Sequence, residues 1–326
     1  MKSAVERIGV LTSGGDAPGM NAAIRAVVRT AISFGIECVG IRRGFQGLIA
    51  GEMFPMDSKS VNGLTERGGT ILYTALSAEF KTEEGQKRAA DNCRYMGING
   101  LVTIGGDGTF RGAGELSKHG VSVVGIPATI DNDIACTHYT IGYDTACNTA
   151  IESIDKLRDT MKSHERCSVI EVMGRHAGHL ALYVGIAAGA TSILIPEKEI
   201  DFKRDIVEKI RSARLRGRTH FTIIVAEGAG SASEIAERIK FETGIDTRVT
   251  VLGHVQRGGQ PLVRDRVIAT RMGYYAVQIL AEGKTNRIVT YSNDQCGDVD
   301  IDEGLAMKKG IDEATYSILD AVMGGV

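Results

Sequence analysis

Ile8-Gly9-Val10-Leu11-Thr12-Ser13-Gly14-Gly15-Asp16-Ala17-Pro18-Gly19-Met20-Asn21 is the stretch that decides the fold. Residues 8–12 read as an apolar strand, 13–19 as a glycine-rich turn, and a helix follows from about Met20. Glycines let backbone N–H groups approach a phosphate closely, and a helix start adds partial positive charge. The run is neither a Gly-Lys-Ser/Thr phosphate loop nor G-x-G-x-x-G, and alone it serves equally well as a structural turn. Outward from it, the same pattern repeats. Strands are expected at 101–104, 121–126, 168–172, 193–195 and 221–226, and helices at 20–34, 85–96, 145–162, 203–215 and 264–281. Strand–helix alternation predicts an α/β chain whose mostly parallel sheet is covered by helices on both faces.

Composition narrows the class. With 326 residues, two domains are the expectation, and 43% hydrophobic residues suffice for a large core. A net charge of −2 argues against a nucleic-acid partner. No apolar run is long enough for a membrane span, and the short charged start lacks the pattern of a secretory leader. Six scattered cysteines without C-x-x-C spacing fit a reducing cytoplasm better than disulfides or zinc. The 41 glycines cluster after β-branched runs, where α/β proteins place their ligands.

Two further strand ends carry acidic groups. Gly105-Gly106-Asp107-Gly108-Thr109 follows the strand at 101–104, and its aspartate has the chemistry to hold Mg²⁺ beside a nucleoside triphosphate; an Asp-Gly turn is the plainer reading. Pro127-Ala128-Thr129-Ile130-Asp131-Asn132-Asp133 ends the next strand. One carboxylate there suits proton abstraction from a hydroxyl while the other orients it; a turn with a helix cap is the alternative. Arg25 and Arg29 share a helix face that also reads as ordinary solvated charge.

Together these motifs, with Glu171-Val172-Met173-Gly174-Arg175 and Val251-Leu252-Gly253-His254-Val255-Gln256-Arg257-Gly258-Gly259, resemble the bacterial ATP-dependent 6-phosphofructokinase family, in order over nearly the whole chain. The resemblance implies two Rossmann-like three-layer domains with mostly parallel sheets and a chain that crosses between them. An ATP domain is expected at 1–141 plus 256–306, and a sugar-phosphate domain at 142–255 plus 307–326. Asp131 is implied as general base for the 1-hydroxyl of fructose 6-phosphate, with Thr129, Arg175, Asp133 and Gly15 also in catalytic positions. Asp107 is implied as the Mg²⁺ ligand. Gly14, Gly15, Gly105, Gly106, Asp107, Gly108, Thr109, Leu76 and Ser77 match the ATP positions. Thr129, Ile130, Asp131, Arg166, Met173, Gly174, Arg175, Glu227, Arg248, His254 and Arg257 match the sugar-phosphate positions. Arg166 and Arg248 match residues that reach a neighbouring subunit's site, which implies a homotetramer. Arg25, Arg29, Arg158, Gly189, Arg216 and Arg218 match an effector site for ADP or phosphoenolpyruvate.

The sequence departs from the family at four positions. Leu76 stands where an arginine bridges the substrates' phosphates, with Lys81 a nearby cation. Ala128 replaces glycine, and like Gly108 it points to ATP rather than pyrophosphate as donor. Ser58 and Thr191 replace an arginine and a glutamate of the effector site. The competing readings are a pyrophosphate-dependent phosphofructokinase, an enzyme like NAD kinase, which also carries Gly-Gly-Asp-Gly, and a non-catalytic paralogue that Leu76 alone supports.

Overall fold

The computed structural model describes residues 3–322. Met1, Lys2 and residues 323–326, the outermost ends of the two expected domains, lie outside the described residues. In chain order the elements are β1 Arg7–Thr12, α1 Met20–Ser33, β2 Glu37–Ile41, α2 Gly44–Ala50, β3 Met53–Met56, α3 Glu83–Tyr95, β4 Gly100–Gly105, α4 Asp107–Lys118, β5 Ser122–Pro127 and α5 Tyr143–Ser163. They continue with β6 Cys167–Val172, α6 His179–Ala187, β7 Ser192–Leu194, α7 Lys209–Leu215, β8 Phe221–Ala226, α8 Ala232–Thr243, β9 Thr247–Val251, α9 Val263–Ala281, β10 Arg287–Ser292, β11 Gln295–Asp300, α10 Ile301–Ala306 and α11 Glu313–Val322.

The chain divides into two units. The first comprises the residues through Ile130 with Ile134–Thr145 and Arg257–Lys309; the second comprises Asp131–Asp133, Ala146–Gln256 and the segment from Gly310. The first unit is built on a seven-stranded sheet of order β11-β10-β5-β4-β1-β2-β3. Its five inner strands are parallel, and the two edge strands β3 and β11 run antiparallel to their neighbours. The central strands β1, β4 and β5 are buried almost throughout, as a sheet covered on both faces requires. Register aligns the carboxyl ends of three neighbours: Thr12 pairs with Ile104, and Gly105 with Pro127. The three motifs therefore leave the sheet side by side.

Helix α1 buries Ala23, Ile24, Val27 and Val28 and packs tightly on α9, where a Cβ on Gly273 would come within 2.7 Å of the Ala26 Cβ. Helix α4 survives three internal glycines because one of them is needed. A Cβ on Gly112 would come within 2.7 Å of Phe45, whose ring stacks on Phe80 at 4.1 Å.

The second unit is a four-stranded parallel sheet, β7-β8-β6-β9, over a core that includes Val169, Phe202, Ile206, Phe221, Val225 and Ile239. One expected helix is corrected here. Residues 203–215 are not uniformly α-helical: Lys203–Glu208 form a π-helical segment before α7 begins. Ser192 Oγ donates to the Asp205 carbonyl at 2.6 Å, engaging a ladder acceptor from the side, one of the usual causes of such a local distortion.

Candidate functional site

The glycine turn after β1 and the one after β4 are neighbours. Thr109 Oγ1 donates to the Ser13 carbonyl at 3.0 Å, and the Ser13 amide donates to the Ile104 carbonyl at 3.0 Å. A Cβ on Gly105 would lie 2.3 Å from the Ser13 carbonyl oxygen, so only glycine allows this approach. A Cβ on Gly106 or Gly108 would meet nothing within 4 Å, which leaves open space on either side of Asp107. Asp107 itself is half-buried at the first position of α4. Gly14 takes a left-handed φ of 84° and accepts, through its carbonyl, from Thr74 Oγ1 at 2.6 Å.

Arg257 belongs with this group. Its guanidinium donates to the Asp16 carbonyl at 3.1 Å, and a Cβ on Gly15 would come within 2.5 Å of its Nη1. Leu76 projects 95% exposed from the same loop as Thr74, and Ser77 Oγ accepts from the Phe80 amide at 3.2 Å. The loop before it is anchored by Asn21. The Asn21 Nδ2 donates to the carbonyls of Arg67 and Gly68, and its Oδ1 accepts from the Ile71 amide at 2.8 Å.

At the end of β5, Ala128, Thr129, Ile130, Asp131 and Asn132 are buried, and Asp133 is half-buried. Asn132 holds a positive φ of 50°, a conformation that asparagine tolerates and branched residues do not. This sharp bend replaces the helix cap that the sequence left open; the next helix, α5, starts only at Tyr143.

In the second unit, the carboxylate of Glu227, at the end of β8, accepts from the Gly174 amide at 3.2 Å and from the Arg175 amide. Arg175 has φ 58° and Gly174 has φ 146°, so Glu227 braces a strained turn whose arginine side chain is exposed. The Met173 amide donates to Gln256 Oε1 at 3.3 Å, and Gln256 Nε2 donates to the Gly253 carbonyl at 3.0 Å. Gln256 is fully buried and fixes the turn that presents the exposed His254. Arg166 and Arg248 share one carboxylate: Asp246 accepts from Arg166 Nε at 2.6 Å and from Arg248 Nη2 at 3.1 Å. The β6–β9 register places Ser168 opposite Arg248, which brings the two arginines to one end of the pair. Sequence reasoning assigned no role to Asn21, Asp246 or Gln256: Asn21 and Gln256 lie inside quoted motifs but bond to distant segments, and Asp246 lies outside every motif.

The second unit also contains a cavity of about 420 Å³ lined by Arg158, Gly189, Arg218, His220, Thr222 and the 186–188 backbone turn. Arg158 Nη2 donates to the Ala188 carbonyl, and its Nη1 lies 3.4 Å from Asp155. Burial, then the cations Arg218, Lys162 and Arg158, hold the His220 pKa below the usual imidazole value. His220 was absent from the sequence expectations. Arg216 is engaged instead with Ser212 Oγ on its own helix at 2.6 Å. In the first unit, Arg25 is half-buried on α1, and Arg29 donates to the Ser58 carbonyl and to Asn62 Oδ1 at 2.8 Å.

Among the described residues no cluster of three or more His, Cys, Asp or Glu side chains is arranged to hold a metal. Asp107, with open space at the glycines on either side, fits Mg²⁺, which usually binds through one or two carboxylates and the substrate's phosphates. The first unit thus defines a class: α/β proteins that receive a phosphorylated ligand at adjoining glycine turns on the carboxyl edge of a parallel sheet. The phosphofructokinase family profile matches residues 7–280. The chain is 55% identical over 318 residues to the ATP-dependent 6-phosphofructokinase of Clostridium tetani, covering 98% of this chain and 99% of that one. It is 54% identical over 311 residues to the enzyme of the same name from Clostridium botulinum strain Loch Maree, covering 95% and 97%. Phosphofructokinase from Saccharomyces cerevisiae superposes with a TM-score of 0.88 at 37% identity; the match covers 98% of this chain and 47% of the yeast chain, so the chain spans about half its length. The chain belongs to the phosphofructokinase family.

Proposed function

We propose that this chain is an ATP-dependent 6-phosphofructokinase, which transfers the γ-phosphoryl group of ATP to the 1-hydroxyl of fructose 6-phosphate. One observation carries the reading: the turns after β1, β4 and β5 adjoin at aligned strand ends, and each bears residues matching the family's donor or acceptor positions. The first unit takes ATP and the second takes the sugar phosphate. The amides of Gly14, Gly15 and residues 105–109 receive the phosphates, and Thr109 fixes the second turn against the first. Asp107 would hold Mg²⁺, which when bound would supply positive charge against that developing on the transferred group.

Asp131 accepts the proton of the 1-hydroxyl as that oxygen bonds the γ-phosphorus and the bond to the β-bridging oxygen breaks. ADP and fructose 1,6-bisphosphate leave. Thr129 and Arg175 contact the moving phosphoryl group, and Asp133 supports the base. The sugar's 6-phosphate is gripped by Arg166, Arg248, His254 and Arg257, for which the planar guanidinium fork is suited. Met173, Gly174 and Glu227 contact the sugar. ADP or phosphoenolpyruvate acts from the basic cavity around Arg158 and Arg218. The working form is a cytoplasmic homotetramer. In support, the edge strand β9 leaves Val249 37% and Val251 56% exposed, apolar surface that an edge strand normally keeps covered.

The deciding assay is fructose 1,6-bisphosphate formation with Mg²⁺, fructose 6-phosphate and either ATP or pyrophosphate. Product with ATP, a fall in kcat of about 10²–10⁴-fold in Asp131→Asn, and sedimentation as four chains are expected. Product with pyrophosphate alone would overturn the donor, and substrate binding without product would leave a non-catalytic sensor.

A further inference from the structure

Asp265, near the start of α9, has no exposed surface. Its Oδ1 accepts from the Tyr139 hydroxyl at 2.7 Å and from the Gly142 amide at 2.7 Å. Its Oδ2 accepts from the Thr145 amide at 2.9 Å and from the Thr145 hydroxyl. Thr145 Oγ1 in turn accepts from the Leu262 amide at 3.0 Å, which closes the network back onto the start of α9. Burying a carboxylate carries a desolvation cost that an apolar side chain would avoid. Four donors from one segment, 139–145, offset that cost here and make the segment's conformation conditional on Asp265.

That segment braces the site in three ways. The Ile141 amide donates to the Pro127 carbonyl at 3.0 Å, and Ile141 pairs in parallel with Ala128. Thr140 Oγ1 donates to the Thr129 carbonyl at 2.7 Å. Gly142 and Gly19 make the closest approach to the first glycine turn. A Cβ on Gly142 would fall 2.6 Å from the Ala17 Cβ, and one on Gly19 would fall 2.6 Å from the Ile141 side chain. Segment 139–145 is therefore a strut between the phosphate turn at 13–19 and the strand end at 127–129, and Asp265 holds the strut.

We propose that Asp265 is a positioning residue for phosphoryl transfer, fixing Thr129 against the 13–19 turn through segment 139–145; this rests on the kinase reading above. Thr129 stands two residues before the base Asp131, so a loosened strut degrades the alignment of the reacting groups. The arginines of the sugar site lie outside the strut, and the amides at Gly14 and Gly15 keep the separate ties of Ser13 to Thr109 and Ile104. Misplacement of about 1 Å by a remote change is enough to cost about 10²-fold in rate.

The test compares the full-length wild type with Asp265→Asn and Thr140→Val. It measures kcat, the KM for fructose 6-phosphate and for ATP, the melting temperature, and amide hydrogen exchange across 127–145. Asp265→Asn keeps the shape but replaces one acceptor oxygen with a donor. Thr140→Val removes the hydroxyl link to Thr129 while keeping the four donors to Asp265, and decides the matter if the first variant does not fold. Expected are a kcat lower by roughly 10–100-fold in Asp265→Asn and roughly 3–10-fold in Thr140→Val, both KM values within about twofold, and faster exchange at Ile141 and Gly142. A kcat per folded molecule equal to wild type, with only the melting temperature lowered, would mean that Asp265 is merely structural. A KM effect without a kcat effect would overturn the proposal equally. A wild type that makes no product would instead refute the kinase reading. The exchange arm would then decide alone, and unchanged rates at 141–142 would end the strut.

Discussion

Leu76 is the residue that most invites substitution. It is 95% exposed, and the chain on either side of it is pinned by the Thr74–Gly14 and Ser77–Phe80 hydrogen bonds. A side chain there projects from a loop already tied to the phosphate turn, and leucine offers the phosphates no donor. Leu76→Arg is expected to raise kcat by about tenfold with ATP, the lower end of what a hydrogen bond to a charged group contributes (about 1.5–3 kcal/mol). The melting temperature should stay unchanged, because an exposed leucine makes little packing. A rate no higher than wild type would mean that the chain has compensated elsewhere. Residue by residue, Asp107 and Asp131 were legible because glycine or a second carboxylate beside a strand end is a costly pattern with few other uses. Asn21, Asp246, Gln256 and His220 were not: Asn21 holds Ile71, Asp246 holds Arg166, Gln256 holds Met173, and His220 shares a cavity with Arg158, and sequence spacing carries no trace of such distant pairings.

At the scale of elements, uniformly apolar strands such as β4 and β8 were readable from composition, and others were silent for physical reasons. Strand β9, Thr247-Arg248-Val249-Thr250-Val251, pairs on one side only and has mostly exposed or half-buried side chains, so no buried face imposes an apolar period. Strand β3 contains Pro55, which an edge tolerates. Helix α4 was hidden by glycines that a helix ordinarily avoids, one of which makes room for the Phe45–Phe80 stack. The pairing of β6 with β9 also sets the spacing of Arg166 and Arg248 around Asp246. Asp246→Ala frees both guanidiniums and leaves them mutually repelling. The KM for fructose 6-phosphate is expected to rise several-fold while kcat stays within about twofold, a loss of uniform binding. An equal fall in kcat would place Asp246 in the reaction itself.

At the scale of the whole chain, the proposed effector response would turn on the basic cavity of the second unit. Its cations and its burial depress the His220 pKa, so His220 is neutral at pH 7. An oxyanion bound there offsets Arg218 and Arg158 and raises that pKa, so binding takes up a proton. Effector affinity is therefore expected to weaken as pH rises through the window between the depressed and the restored values, on the acid side of neutrality. Fructose 6-phosphate saturation curves with ADP or phosphoenolpyruvate at pH 6 and 8 check this. His220→Gln should flatten the pH dependence and keep the effector response. Curves insensitive to both effectors would remove regulation from the account.

The first unit is completed by Arg257–Lys309, far downstream of its opening 145 residues. Helix α1 packs on the sheet beside it and, most extensively, on α9, where Gly273 meets Ala26. During synthesis, then, the apolar face of α1 leaves the ribosome well before its partner. At about 5–20 residues per second, the nascent chain waits roughly 12–50 s while the residues between Ala26 and Gly273 are made. The second unit's sheet, contiguous from β6 to β9, has every strand available first. The second unit can therefore complete its sheet before the first, although the first begins earlier in the chain.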